Sequence, residues 1–382
     1  MIKLLHTADW QIGKQFGQFE ADDAALLADA RFAVVERLGK LATAQGIHAI
    51  LVAGDVFDAQ GVADKTIHRL FNCLAAFKGP WVLIPGNHDA GLAESVWTRA
   101  VRLNAVPPNA RLCLTPEPLV LPSLGLAVLP APLTQRHTHS DLTEWFASAP
   151  VPADLFRVGL AHGSVHGILA DGIDSSNPIA AGRAGQSGLD YLALGDWHGT
   201  KQVDARTWYS GTPETDRFKA NDSGQALVVA LSERGALPTV TAVATGQYRW
   251  QQDEVDLQVP SDVDGLLHRL VGFTSTDVVD MRLSGRTDLA GQRRLLEAIG
   301  QARGRARSLL TDLSQLRFEP TAEDIAALKA DGYLGEVVAE LRAAQTGPAA
   351  EAADVARDAL ALLAGILDER RATAVAGAGA AS

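Results

Sequence analysis

The chain has 382 residues, 47% of them hydrophobic, enough at roughly 150 residues per domain for two to three domains with buried cores. A disordered chain is excluded. Lys and Arg number 34 against 45 Asp and Glu, a formal net charge of -11, which excludes a protein that coats nucleic acid by bulk electrostatics. Cys73 and Cys113 stand far apart in the sequence, without the close pairing of a zinc knuckle or redox motif, and are expected in the core. The longest apolar run, near Leu360 to Leu367, falls far short of the ~18 residues that span a bilayer. Residues 1–13 lack a signal-peptide pattern, so the expectation is a soluble, cytoplasmic protein with no membrane partner.

In chain order, apolar runs at Lys3 to Thr7, His48 to Ala53 and Pro80 to Ile84 predict strands, each running into a polar loop. Between them Asp22 to Gln45 and Val62 to Phe77 carry helical spacing, and Gly46 follows the first at a C-cap position. Pro132 to Asp141 reads as a loop, Phe156 to Ala161 as a strand, Gly163 to Gly188 as a long Gly- and Ser-containing stretch, and Tyr191 to Leu194 as a strand. Strands alternating with helices predict an α/β domain whose ligands gather at strand ends on one sheet edge. From Gln247 the pattern changes to alternating Val255, Leu257 and Val259, a helix near Val263 to Val271, a strand near Val278 to Leu283, a helix near Leu289 to Ala302 and a strand near Ser308 to Phe318. This predicts a small separate α/β unit. Helical segments follow at Asp324 to Ala330, Leu334 to Leu341 and Glu351 to Arg371, and the uncharged Ala- and Gly-rich end, Ala372 to Ser382, is expected to be disordered.

Five polar clusters fall at strand ends: Asp9-Trp10-Gln11, Gly54-Asp55-Val56-Phe57-Asp58, Gly86-Asn87-His88-Asp89, His162-Gly163 and Gly195-Asp196-Trp197-His198. Each alone reads as a turn more readily than as a site. Together they offer oxygen ligands from Asp9, Asp55, Asn87 and Asp196, imidazoles from His162 and His198, and a further oxygen from Gln11. That mixture suits Mn²⁺, Fe²⁺ or Zn²⁺ rather than a calcium cage or a thiolate zinc site, and it suffices for two ions.

These motifs resemble the calcineurin-like metallophosphoesterases, and within them the SbcD/Mre-type DNA repair exonucleases. The opening His6-Thr7-Ala8-Asp9-Trp10-Gln11-Ile12-Gly13 looks like the start of those nucleases, and Tyr209-Ser210-Gly211-Thr212-Pro213 like the segment that leaves their phosphoesterase domain. The resemblance implies a four-layer α-β-β-α sandwich over residues 1–246, a small α/β capping domain over 247–320 and a helical partner-docking region over 321–371, with 372–382 the disordered tail. It implies two divalent metal ions, Mn²⁺ favoured, one held by Asp9, Asp55 and His198 and the other by Asp55, Asn87, His162 and Asp196, with Asp55 bridging. His88 would stand beside the scissile phosphate as a proton or hydrogen-bond donor, and Asp89 would orient it or the backbone around it. The activity implied is that of a DNA exonuclease and single-strand endonuclease, a hydrolase acting in DNA repair and recombination with an SbcC-like SMC-type ATPase in a two-fold assembly. Two rival functions stay open: a stand-alone metallophosphoesterase on a small phosphodiester, and a non-catalytic scaffold on the same fold.

Two positions depart from the family pattern. Gln11 stands where the family usually has histidine, and Asp196 stands where its last motif has histidine. An amide oxygen is a weaker donor than imidazole toward a transition metal, whereas a carboxylate binds well and adds charge. The first metal site is therefore expected to be weakened and the second kept or strengthened. Elsewhere His137 and His139 read as surface residues, His166 as a loop residue lining the cleft, and Trp10 and Trp197 as packing that fixes their loops.

The cap carries seven arginines between Arg282 and Arg307 against Asp288 and Glu297. Arg282, Arg286, Arg293 and Arg294 are candidates for tracking DNA phosphates, with a solvated helix face the alternative. In the tail, Val355, Leu362, Leu363, Ile366 and Leu367 form an apolar stripe. It docks either on its own domain or, as the resemblance implies, on the coiled-coil base of the ATPase.

Overall fold

The structure is a computed structural model and describes residues 1–165, 167, 176–319, 321, 325–326, 332–346 and 350–379, with side chains in the last segment described from 351 to 367. His166 lies outside the described residues, as does the helix expected at 324–330 save Ile325 and Ala326. The chain divides into two compact units, Met1–Arg249 and Trp250–Ser382. The first boundary falls slightly past the expected one because the Gln247 and Tyr248 amides donate to the Glu214 carboxylate at 2.8–3.0 Å.

In the first unit, β1 (Ile2–Thr7), α1 (Ala21–Gln45), β2 (Ala49–Ala53), α2 (Asp64–Cys73), β3 (Trp81–Ile84), α3 (Val96–Arg102), β4 (Ala110–Leu112), β5 (Leu119–Leu121) and β6 (Leu126–Ala131) are followed by β7 (Phe156–His162), β8 (Ser164–Val165), β9 (Pro178–Ile179), α4 (Arg183–Gln186), β10 (Tyr191–Gly195), β11 (Lys201–Gln202), β12 (Thr207–Tyr209), β13 (Gln225–Leu231) and β14 (Thr239–Ala244). One sheet has the order β14-β13-β1-β2-β3-β4 and a second β11-β12-β10-β7-β6-β5. β1 through β4 run parallel, as do β6, β7, β10 and β12. The long Gly- and Ser-containing stretch from Gly163 to Gly188 thus contains the β8–β9 pair and α4.

Residue alternation explains the layering. Leu4, Leu51 and Val82 on the inner face of the first sheet meet Val128, Val158, Leu160 and Tyr191 of the second. Their neighbours Leu5, Ile50, Val52 and Leu83 face outward onto Val35 and Leu38 of α1, Leu70 of α2 and Trp97 of α3. Leu129, Leu192 and Leu194 pack outward on Phe146 and Ala184. Strands buried on both faces read as unbroken apolar runs, which is why β1, β2 and β3 stood out in the sequence. Gly46, at φ 64, closes α1, its N–H on the Ala42 and Thr43 carbonyls. Cys73 is buried as expected, while Cys113 is only half-buried.

The second unit opens with β15 (Arg249–Leu257), α5 (Pro260–Val271), β16 (Asp277–Thr287), α6 (Leu289–Arg305) and β17 (Ser308–Phe318), and its sheet has the order β15-β16-β17. Leu257, Leu266, Leu270, Val279, Met281, Leu295 and Ile299 form its core. Two further helices, α7 (Tyr333–Gln345) and α8 (Ala350–Gly379), pack on each other. α8 runs to Gly379 and so takes in most of the end read as disordered; alanine's helix propensity, the highest of any residue, favours continuation there. α8 buries Ala353, Ala356, Leu360 and Ala364, one face at helical spacing, and leaves Val355, Leu362 and Ile366 exposed.

Candidate metal centre

Every candidate ligand leaves the C-terminal end of a parallel strand. Asp9 and Gln11 follow β1, Asp55 follows β2, Asn87 and His88 follow β3, His162 ends β7, and Asp196 and His198 follow β10. The loops after β1 and β2 are zipped together, with the Asp9 N–H on Gly54 O at 3.1 Å, Gln11 N–H on Asp55 O at 3.0 Å and Ile12 N–H on Val56 O at 2.9 Å. Asp9, Gln11, Asp55 and Asp196 all have positive φ, at 54°, 50°, 51° and 103°. Non-glycine residues rarely adopt this conformation, and its concentration at one place marks backbone held in a costly shape to aim side chains inward. Glycines allow the close approach: a Cβ on Gly54 would sit 2.4 Å from His162 Nδ1, and one on Gly86 2.2 Å from Asp55 Oδ1.

Asp9, Asp55 and His162 converge, each offering a ligand atom within 4.8 Å of the others, and all three are buried. His162 donates from Nδ1 to the Ala53 carbonyl at 2.8 Å, which leaves Nε2 unprotonated in the neutral ring and turned toward the cluster. That nitrogen lies 3.1 Å from Asn87 Oδ1, 3.5 Å from Asp55 Oδ1 and 3.7 Å from Asp196 Oδ1. The Asp196 N–H donates to Asp9 at 3.2 Å. Asp55 accepts the His88 N–H on Oδ1 at 2.9 Å and the Gln11 amide on Oδ2 at 2.8 Å, so each of its oxygens keeps a lone pair. Gln11 is thus a hydrogen-bond donor to Asp55 through its amide nitrogen.

Burial, then the neighbouring Asp55 and Asp196 carboxylates, push the Asp9 carboxyl up to about 6 against the pull of His198 and His162. Burial alone would lower His162, but Asp55, Asp9 and Asp196 outweigh it and raise the imidazole to about 9. Crowded, dehydrated carboxylates aimed at one another and at an imidazole nitrogen form a donor set that fits a divalent transition-metal ion.

His88 has a separate position. Its Nδ1 donates to Asp58 O at 2.8 Å, and its Nε2, part-exposed, stands 4.0 Å from Asp55 Oδ2. Asp89 does not reach it: the Asp89 carboxylate accepts the Phe57 N–H at 3.0 Å and the Gly86 N–H at 2.6 Å, joining the loops after β2 and β3. Trp97 closes the same corner by donating to Asp89 O at 2.5 Å.

His198 turns elsewhere, its Nδ1 3.2 Å from Asp216 Oδ2 and Arg217 Nη2 2.9 Å from the same nitrogen. Asp216 is buried and also binds Lys14 at 2.6 Å and Arg217 Nε at 3.0 Å. Burial would raise its carboxyl, yet the His198 hydrogen bond and the charges of His198, Arg31 and Arg217 hold it well below its usual range. Asp216 and Arg31 escaped the sequence reading. Arg31, 1% exposed, donates from α1 to Trp10 O at 2.8 Å, Asp9 O at 2.9 Å, Thr212 Oγ1 at 2.9 Å and the Glu214 carbonyl. A charged residue amid Phe32, Val34 and Val35 was the available signal, since a buried guanidinium needs several acceptors.

Trp10 is buried, donating to Thr7 Oγ1 at 3.0 Å, whereas Trp197 is half-buried; His137 and His139 are exposed. In the cap, Arg282 stands 3.9 Å from Glu254 and 3.8 Å from Asp280, Arg286 3.6 Å from Glu319, and Arg294 2.6 Å from Asp264. Arg282 lies on β16 and Arg293 and Arg294 on α6.

The calcineurin-like phosphoesterase profile matches residues 2–230. Over 95 residues, 23% of the chain, the sequence is 37% identical to the D component of the SbcCD nuclease of Rhodobacter capsulatus, covering 22% of that protein. Over 276 residues, 63% of the chain, it is 25% identical to the D component of the SbcCD nuclease of Bacillus subtilis, covering 66% of it. In both cases the chain spans less than two thirds of the relative's length. The solved structure of TT1561 from Thermus thermophilus is similar over 64% of this chain and 99% of its own, at 13% identity and a TM-score of 0.41. Among the described residues no helix is long and apolar enough to cross a membrane.

Proposed function

We propose, from the premise that the chain belongs to the calcineurin-like phosphoesterase family, that it is a metal-dependent DNA phosphodiesterase, an exonuclease and single-strand endonuclease of DNA repair and recombination in the cytoplasm. The observation that carries the reading is the convergence of Asp9, Asp55 and His162 within 4.8 Å, with His88 Nε2 at its edge. Asp9, Asp55, Asn87, His162, Asp196 and His198 would hold two divalent ions, Mn²⁺ favoured, with Asp55 the ligand the two would share. When bound, such ions polarise phosphoryl oxygens and lower the pKa of water. Because Nδ1–H of His88 is committed to Asp58 O, Nε2 is the atom that faces the leaving oxygen, and it donates there in the doubly protonated, imidazolium form of the ring as charge builds. Asp89 and Arg31 are positioning residues that hold the ligand loops, and Gln11 orients Asp55.

The names of the two curated relatives, each the D subunit of an SbcCD nuclease, support a nucleic-acid substrate and an SbcC-like partner; DNA as that substrate, an SMC-type ATPase as that partner and two copies of the chain in the assembly are part of the proposal. The exposed Val355, Leu362 and Ile366 on α8, with Leu363 and Leu367 flanking them, are the surface proposed for that partner. The test compares linear duplex DNA, single-stranded DNA and a chromogenic phosphodiester as substrates with Mn²⁺ added. Cleavage of both DNA forms is expected. Hydrolysis of the small diester alone would favour a stand-alone phosphoesterase, and no hydrolysis of any substrate would favour a scaffold.

A further inference from the structure

Around His198 the acidic protein turns basic. Lys14, from the loop after β1, and Arg217, from the loop between β12 and β13, share the buried Asp216 carboxylate. Two residues further along, Lys219 Nζ stands 4.6 Å from the centre of the Trp197 ring, and Lys201 Nζ of β11 stands 5.8 Å from it. Arg217 and Lys219 are exposed, while Lys201, Trp197 and His198 are half-buried. Four cations from three segments of the chain thus meet beside a candidate ligand. Among the described residues Lys219 meets the Trp197 ring and no carboxylate. Asp216 beneath and the exposed Asp222 further along the same loop oppose them.

The cap arginines contrast with this. Arg282, Arg286 and Arg294 are each set against a carboxylate of their own unit, whereas at His198 Lys14 and Arg217 share the single Asp216 carboxylate. Lysines lying over an aromatic ring can swing out to the phosphates of a single strand and leave the ring face to a base, the combination that tracks single strands. A duplex keeps its bases inside the stack and cannot use the ring.

We infer that Arg217, Lys219, Lys201 and Trp197 form the strip along which a single-stranded nucleic acid enters the site. This rests on the DNA phosphodiesterase reading and adds a path for the strand. Arg217, anchored through Nε on Asp216, presents the rest of its guanidinium at His198, where a phosphate arriving at the cluster would be met by a planar donor fork. Lys219 and Lys201 take the phosphates further out.

Binding of a fluorescent oligothymidylate, read by anisotropy in chelator so that nothing turns over, tests the strip across a salt series. The double variant Lys201→Glu, Lys219→Glu is expected to bind about ten-fold more weakly at low salt, with a log-log salt slope shallower by about 0.7 for each cation lost. The control Lys40→Glu, Lys78→Glu makes the same change in net charge at exposed positions in the C-terminal half of α1 and just before β3, toward the strand-start edge away from the site, and is expected to keep the wild-type slope. Equal weakening by both pairs, or an unchanged slope in the strip variant, would overturn the inference. A separate hydrolysis assay distinguishes the two failures: wild-type protein that cleaves a chromogenic diester but no oligonucleotide contradicts the nuclease reading itself, whereas cleavage of both with an unchanged slope refutes only the strip.

Discussion

His88 and Asp89 are adjacent in sequence and do different work. His88 keeps one ring nitrogen free at the edge of the ligand cluster, while Asp89 is buried and spends its carboxylate on two backbone amides. His88→Ala should therefore lower turnover by about 10²- to 10⁴-fold while leaving Mn²⁺ binding measured by calorimetry near wild type; loss of a metal together with turnover would show that the imidazole is a ligand. His6 illustrates a buried titratable group outside the cluster. Its Nε2 donates to Leu194 O at 3.1 Å, so its Nδ1 accepts the Tyr191 hydroxyl at 2.8 Å, and the ring spans the two sheets in neutral form. Burial lowers its pKa from 6.5 to about 3, against the raising effect of the Leu194 carbonyl. Because the folded pKa lies below the unfolded one, the unfolded chain takes up a proton that the folded chain refuses. Stability from this group is complete above pH 6.5 and is lost as pH falls from there toward 3. Denaturant melts of His6→Gln should show a shallower acid-side dependence, by up to about 1.4 kcal/mol per pH unit; identical slopes would mean that His6 is not the group responsible.

At the level of elements, α8 has two apolar faces, and among the described residues one of them is buried within the unit. Ala353, Ala356, Leu360 and Ala364 are buried, whereas Val355, Leu362 and Ile366 are 64%, 69% and 53% exposed. Leu362→Asp with Ile366→Asp should leave the melting temperature within a few degrees of wild type, since surface substitutions usually change stability by under about 0.5 kcal/mol. The same variant should lose co-purification with an SMC-type ATPase while keeping hydrolysis of a short single strand; retained association would place the partner elsewhere. This second face was half legible in the sequence. Val355, Leu362, Leu363, Ile366 and Leu367 were read as one stripe, but the helix packs largely by Ala353, Ala356 and Ala364, whose small side chains carry little signal, together with Leu360, and Leu367 packs against the Leu289–Ala364 pair. The strands that deliver the ligands were plain because both their faces are buried. Strands such as β4, β5 and β12, three residues each, were too short to show a period of two. The ligand clusters stood out as polar residues after apolar runs. Arg31 and Asp216 did not, because a long helix and a late loop bring them to the site through tertiary packing, and nothing local in the sequence announces that.

For the whole molecule, a net charge of -11 repels a polyanion at long range, so whatever brings DNA to the strand-end cluster must act locally or be supplied by a partner. At that cluster the same excess of carboxylates becomes an asset, since burial and the nearby Asp55 charge raise the carboxyls of Asp9 and Asp196 and a divalent cation relieves that cost. That the strand ends of both sheets form a metal site for phosphodiester hydrolysis is the claim on which the rest depends. The most direct measurement is equilibrium Mn²⁺ binding to the stripped protein, wild type against Asp55→Ala, with diester hydrolysis followed on the same samples. The account predicts that wild type binds two ions and gains activity as they bind, and that Asp55→Ala, which removes the ligand the two would share, loses both binding and hydrolysis while remaining folded. Unchanged Mn²⁺ binding in folded Asp55→Ala, or full hydrolysis by wild-type protein in excess chelator, would contradict it.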